Sequence, residues 1–70
     1  VKPNGRMIRG IREGRKLSLR KLEAQTGLNR GYLSRLEREQ VADVGSEQLR
    51  RVAAALDVPE SLILDEETTP

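Results

Sequence analysis

Apolar positions along the chain recur at helical spacing in short blocks, separated by polar caps and glycines. Met7, Ile8 and Ile11 form one stripe, with Arg6, Arg9, Arg12, Glu13 and Arg15 left for the other faces; this predicts an amphipathic helix of about three turns beginning near Gly5. Residues 1–4 read as an extended N-terminal arm, because Pro3 steers Lys2 away from helix and Asn4 is a good cap. Gly10 and Gly14 each cost that helix about 1 kcal/mol relative to Ala, so it must depend on packing. Ser18 is a cap signal ahead of Leu19-Arg20-Lys21-Leu22, and Gly27 ends that short segment. Asn29 caps a third helix, Arg30 to Arg38, whose Leu33 and Leu36 must face inward. Residues 39–45 show no period and read as a loop, with the next cap at Gly45 or Ser46. Leu49, Val52, Ala53 and Leu56 then repeat at i, i+3, i+4, i+7 and give the clearest helix of the chain. Asp57-Val58-Pro59 breaks it, and Glu60 to Leu64 adds a short fifth helix ahead of a polar tail, 65–70, expected to fray. The result is an all-α domain of five short helices over residues 5–64. Its expected core is Ile8, Ile11, Leu17, Leu22, Leu28, Leu33, Leu36, Leu49, Val52, Ala53, Leu56, Val58 and Leu62.

Composition narrows the chemistry. Seventy residues suit one small domain, and the absence of Cys and His removes a disulfide framework, the usual zinc ligands and the commonest acid–base group. No metal, no cofactor and no enzymatic activity are expected. The apolar runs Val52–Leu56 and Leu62–Leu64 are too short to span a bilayer, so the chain is expected to be soluble and cytoplasmic. The net charge of +2 hides a sharp asymmetry: residues 1–38 hold eleven Lys and Arg against three Glu, a net +8, while residues 39–70 hold two Arg against eight acidic residues, a net −6. A basic face on a small domain attracts polyanions and an acidic opposite pole orients it; a set of merely solvated helix faces is the plain alternative.

Two short helices joined through a glycine turn, the second opened by a cap, are the mechanical parts of a helix-turn-helix. Leu22, Gly27, Leu33 and Leu36 would lock the pair at a steep angle and leave the outer face of the second helix free to enter a DNA major groove. That face carries Arg30, Gly31, Ser34 and Arg35. Arg30 and Arg35 are candidates for bidentate contact with guanine, against a plain surface role. Gly31 would allow close approach, against simple drift, and Ser34 could donate to a base edge or a phosphate, against a solvated hydroxyl. Ser18 and Arg20 at the start of the preceding helix suit backbone phosphates, where free N–H groups and the helix dipole favour anions. Lys21 and Arg38 are secondary phosphate candidates, and Tyr32 is another, set against a partly exposed packing role.

The ordered set Ile8-Arg9, Ile11-Arg12, Leu17-Ser18, Leu22, Gly27, Asn29 and Leu33-Ser34-Arg35-Leu36-Glu37-Arg38, followed by Leu49, Val52-Ala53 and Ala55-Leu56, resembles the repressor-like (Xre-type) helix-turn-helix family of phage repressors, Cro proteins and bacterial transcription regulators. The likeness runs from Met7 to Leu64. It implies a sequence-specific regulator, a phage or bacterial repressor, that places helix 29–38 in the major groove of a double-stranded operator. It also implies an ion pair between Arg12 and Glu37 tying the first helix to the end of the recognition helix. Homodimerisation through residues 58–64 is a further expectation, since operators of such domains are usually pseudo-palindromic; the alternatives are that Ile63 and Leu64 complete the core and that the chain binds DNA as a monomer or through another domain. Start at Val1 rather than Met leaves room for a fragment of a longer regulator. The chain departs from the family in five places. Leu19 stands where Gln usually opens the second helix, so Arg20 or Lys21 is expected to take over its phosphate contact. Glu23 stands where Ala is preferred, and is expected to point to solvent or to pair with a nearby Arg. Lys16 and Glu39 stand where Gly commonly follows a helix, at about 1 kcal/mol each if left-handed. The 39–45 loop is about one residue longer than the common pattern. An antitoxin-type module, its acidic half docking a basic partner protein, is the alternative from another functional class.

Overall fold

The computed structural model describes residues 1–65. Along them run α1 (Gly5–Gly14), α2 (Leu19–Thr26), α3 (Arg30–Glu37), α4 (Ser46–Leu56) and a 3-10 turn, Glu60–Ile63. Local signals explain where each helix starts. The Asn4 side chain accepts from Met7 N at 3.1 Å, Ser18 Oγ from Lys21 N at 3.0 Å, and Asn29 Oδ1 from Gly31 N at 2.8 Å, each satisfying a donor that the first helical turn leaves open. Gly45 caps α4 without a side-chain bond.

The fifth helix is corrected: four α-helices are followed by a single 3-10 turn. After Ile63 the chain is drawn out to pair with the N-terminal arm, through an isolated antiparallel bridge between Pro3 and Leu64. Asn4 N donates to Ile63 O and Asp65 N to Lys2 O, both at 2.8 Å. These bonds claim the backbone groups a longer helix would need. The tighter turn also changes which side chain points inward. Leu62, expected in the core, is 43% exposed, and Ile63 is fully buried in its place. The fraying expected of the polar tail concerns residues that, beyond Asp65, lie outside the described residues.

Ile8, Leu22, Leu33, Leu36, Leu49, Val52, Ala53 and Leu56 form the buried core with Ile63 and Val44. Ile11, Leu17, Leu28 and Val58, expected as core, are half-buried and pack against it. Val44 comes from the aperiodic loop; its N–H donates to Val1 O at 2.8 Å, so the arm holds the loop down over the core. Met7 lies on the outer edge of its stripe and is 39% exposed. α2 packs against both α3 and α4, and α1 bridges α3 and the 3-10 turn.

Three helices end the same way. Leu17 N donates to Arg12 O, Gln40 N to Arg35 O and Val58 N to Ala53 O, and each bond wraps around a residue with positive φ: Lys16 at 56°, Glu39 at 60° and Asp57 at 58°. Such endings favour glycine, since a Cβ is crowded in the left-handed conformation. Lys16→Gly and Glu39→Gly are each expected to raise stability by about 1 kcal/mol, or roughly 4–8 °C in Tm for a domain of this size. Asp57→Gly should gain less, because Asp tolerates this conformation better. Thermal melting of the single variants checks the order.

Candidate nucleic-acid interface

The turn between α2 and α3 is held by side chains as well as by Gly27, whose φ of 77° reverses the chain. Thr26 is buried; its Oγ1 donates to Leu22 O at 2.8 Å and accepts from Leu28 N at 3.1 Å, which fastens the end of α2 to the turn. Glu23 reaches across the turn, and its Oε2 accepts from Arg30 N at 2.9 Å. That is neither of the two expected roles: the carboxylate bonds a backbone N–H, not an arginine side chain. The N–H groups of Arg30 and Gly31, which open α3, are therefore both bonded, one by Glu23 and one by Asn29.

With Leu33 and Leu36 buried, α3 turns Arg30, Gly31 and Arg35 to solvent. Ser34 is half-buried, and Tyr32 is half-buried and packs against the core. Ser18, Arg20 and Lys21 are exposed at the start of α2, with the Ser18 hydroxyl engaged as the cap. Leu19, in the family's Gln position, is half-buried against the core and offers no polar group.

Arg12 and Glu37 join α1 to the end of α3. Arg12 Nε donates to Glu37 Oε2 at 2.5 Å and Nη2 to Oε1 at 3.0 Å, while Nη1 donates to Leu17 O at 2.7 Å. Both side chains are nearly enclosed, at 12% and 5% exposure. The hydrogen bonds that Arg12 donates to Glu37 hold the guanidinium pKa above its ordinary value; burial works against this and loses. Beside the pair lies a concavity of about 180 Å³ lined by Arg9, Arg12, Leu19, Ser34, Glu37 and Arg38. It draws together three elements: α1, the first residue of α2, and the outer edge of α3 with the residue that follows it. Ser34 and Arg38 are brought together there, with Arg38 Nε 3.4 Å from Ser34 O. Arg9 is the residue that sequence reasoning missed; it also pairs with Glu13 at 3.2 Å. Its signal was its place one turn ahead of Arg12, three residues apart on one face of α1.

A larger open hollow of about 610 Å³ between α2 and α4, lined by Gln25, Thr26, Arg51, Ala54 and Ala55, contains none of the candidate residues. In the acidic half, Arg50 lies 3.4 Å from Glu60 and Arg51 3.9 Å from Glu47, so both of its cations face carboxylates. Among the described residues no three of His, Cys, Asp and Glu gather as a metal site, and no helix is long and apolar enough to cross a membrane.

The sequence matches the family described as helix-turn-helix domain over residues 5–68, and the chain belongs to that family. The restriction-modification controller protein C.AhdI from Aeromonas hydrophila is similar in structure, with a TM-score of 0.76 and 32% identity over 81% of this chain and 85% of that one. The N-terminal DNA binding domain of SinR from Bacillus subtilis gives a TM-score of 0.80 at 32% identity, covering 93% of this chain and 94% of that one. SinR, the master regulator for biofilm formation, was also solved in complex with DNA; that chain gives a TM-score of 0.81 at 33% identity, over 87% of this chain and 97% of its own. No curated protein sequence matches the chain.

Proposed function

We propose that this domain binds double-stranded DNA in a sequence-specific way, as the DNA-reading part of a transcription regulator. α3 enters the major groove, Arg30, Gly31, Ser34 and Arg35 face base edges, and Ser18, Arg20, Lys21, Tyr32 and Arg38 hold phosphates along the rims. Arg9 joins the phosphate set through the concavity it shares with Ser34 and Arg38. The observation that carries this reading is the exposed face of α3: Arg30, Gly31 and Arg35 project from a helix-turn-helix whose far end is anchored by the Arg12–Glu37 pair. The net +8 of residues 1–38 supplies the field a polyanion would follow. Similarity to SinR, a protein solved on DNA, supports the same reading.

In its finer form the regulator is a phage or bacterial repressor acting in the cytoplasm as a homodimer. Two copies would place their recognition helices about 34 Å apart on a pseudo-palindromic operator. Within 58–64, the half-buried Val58 and Leu64 and the exposed Leu62 are the apolar groups available for such a contact, whereas Ile63 is committed to the core. Ultracentrifugation with and without duplex tests the dimer.

Selection from a random duplex pool tests the function itself. On the selected sequence, Arg35→Ala should relax one base position and cost about 1–3 kcal/mol. Three to five phosphate contacts per subunit should give a slope of log K against log salt of roughly −3 to −4.5. A flat salt response, or an enriched pool with no preferred sequence, overturns the reading.

A further inference from the structure

We propose that Glu23 determines specificity at this interface: its carboxylate caps α3 from α2 and keeps backbone phosphate off the end of α3 that enters the groove. The proposal rests on the DNA-binding reading above. A helix start is by default attractive to anions, because its first N–H groups are free and the dipole is positive there. The two helices of the motif treat that tendency in opposite ways. α2 opens with a neutral hydroxyl, Ser18, followed by Arg20 and Lys21 and no acidic residue in its first turn, so phosphate is welcome. α3 has no acidic residue of its own in the first turn either, yet Glu23 delivers a carboxylate from the neighbouring helix, with Oε2 2.9 Å from Arg30 N. Asn29 occupies the next N–H at 2.8 Å.

The second helix of such a motif meets base edges with its N-terminal residues while the first crosses the backbone. A full negative charge at the start of α3 therefore weakens any register in which a phosphate settles there. Phosphate contacts are the sequence-independent part of binding, so this carboxylate lowers non-specific affinity more than specific affinity. Its hydrogen bond fixes the first turn of α3, and its charge sorts the ligands. The two roles are separable by substitution, since Glu23→Gln keeps an acceptor oxygen and removes the charge, while Glu23→Ala removes both.

The test uses the 70-residue chain and two duplexes of equal length, the pool-selected sequence and a scrambled one. At low salt Glu23→Gln should bind the scrambled duplex about three- to tenfold tighter than wild type, with a smaller gain on the selected duplex. Without DNA, exchange of the Arg30 amide should be about fivefold faster in Glu23→Ala and unchanged in Glu23→Gln. Equal binding of the scrambled duplex by wild type and Glu23→Gln overturns the role of the charge, and equal Arg30 exchange in all three proteins overturns the cap. A wild-type chain that binds neither duplex overturns the DNA-binding reading and the charge-sorting role with it, while the exchange contrast still reports on the cap.

Discussion

Gly5→Ala is expected to destabilise the domain by about 3 kcal/mol or more, roughly 10–25 °C in Tm for a protein of this size. Gly5 is buried at the first position of α1, where that helix meets the end of α3. A Cβ there would lie 2.1 Å from the carbonyl oxygen of Leu36 and 2.9 Å from that of Glu37. Both obstacles are backbone, and the Leu36 carbonyl also accepts from Glu39 N in the turn that ends α3, so no side chain can swing aside to make room. Relief requires α1 and α3 to move apart, which opens the core at Ile8 and Leu36 and tilts the helix proposed to read DNA. Duplex affinity should therefore fall even at temperatures where the variant remains folded. Gly10→Ala is the control: a Cβ there meets nothing within 4 Å, and the helix gains up to about 1 kcal/mol of propensity. Thermal melting of the pair is decisive, and a Gly5→Ala protein that melts with wild type would mean that the two backbones do not approach this closely.

What could be read in the sequence was what is encoded locally. Asn4, Ser18 and Asn29 each precede a helical stripe, and a cap needs only its own next turn, so the starts of α1, α2 and α3 follow from residue order alone. The periodicity of Leu49, Val52, Ala53 and Leu56 likewise depends on nothing but helical geometry. The misses are features set by a distant partner. Val44 is buried because the arm bonds to it, and no period in 39–45 could announce that. Leu62 and Ile63 exchange roles because pairing between Pro3 and Leu64 cuts the last helix to a 3-10 turn. Glu23 was visible as an odd residue, but its partner is a backbone N–H, which leaves no trace in residue type. Arg9 was one of three arginines on α1 until the fold set it beside Ser34 and Arg38. The left-handed Lys16 and Glu39 were legible only through resemblance to a family that commonly has glycine there.

Glu37→Ala should cost about 3 kcal/mol or more, whereas Glu39→Ala, two residues on, should stay within about 0.5 kcal/mol of wild type. The difference lies in what each carboxylate leaves behind. Removing Glu37 strips both of its hydrogen bonds from a guanidinium only 12% exposed, which then keeps one hydrogen bond, to Leu17 O, and a long contact of 4.0 Å with the half-exposed Glu13 carboxylate. Glu39 is exposed, and its left-handed backbone is no easier for Ala. Because a buried ion pair gains little net energy over well-packed apolar groups, the double variant Arg12→Met/Glu37→Leu should lose far less than Glu37→Ala alone, and the shortfall measures the coupling. The pH dependence on the arginine side has a definite sign. The raised Arg12 value means that its contribution is complete below the ordinary arginine range and is lost only as pH rises through the higher folded value, so it does not titrate near neutrality. The pair also fixes the wall of the concavity that holds Ser34 and Arg38, so the double variant should keep its fold and still bind duplex more weakly. Denaturant melts of the 37 and 39 single variants, side by side, are the direct check: equal losses would strip Glu37 of any special part in holding α1 to α3.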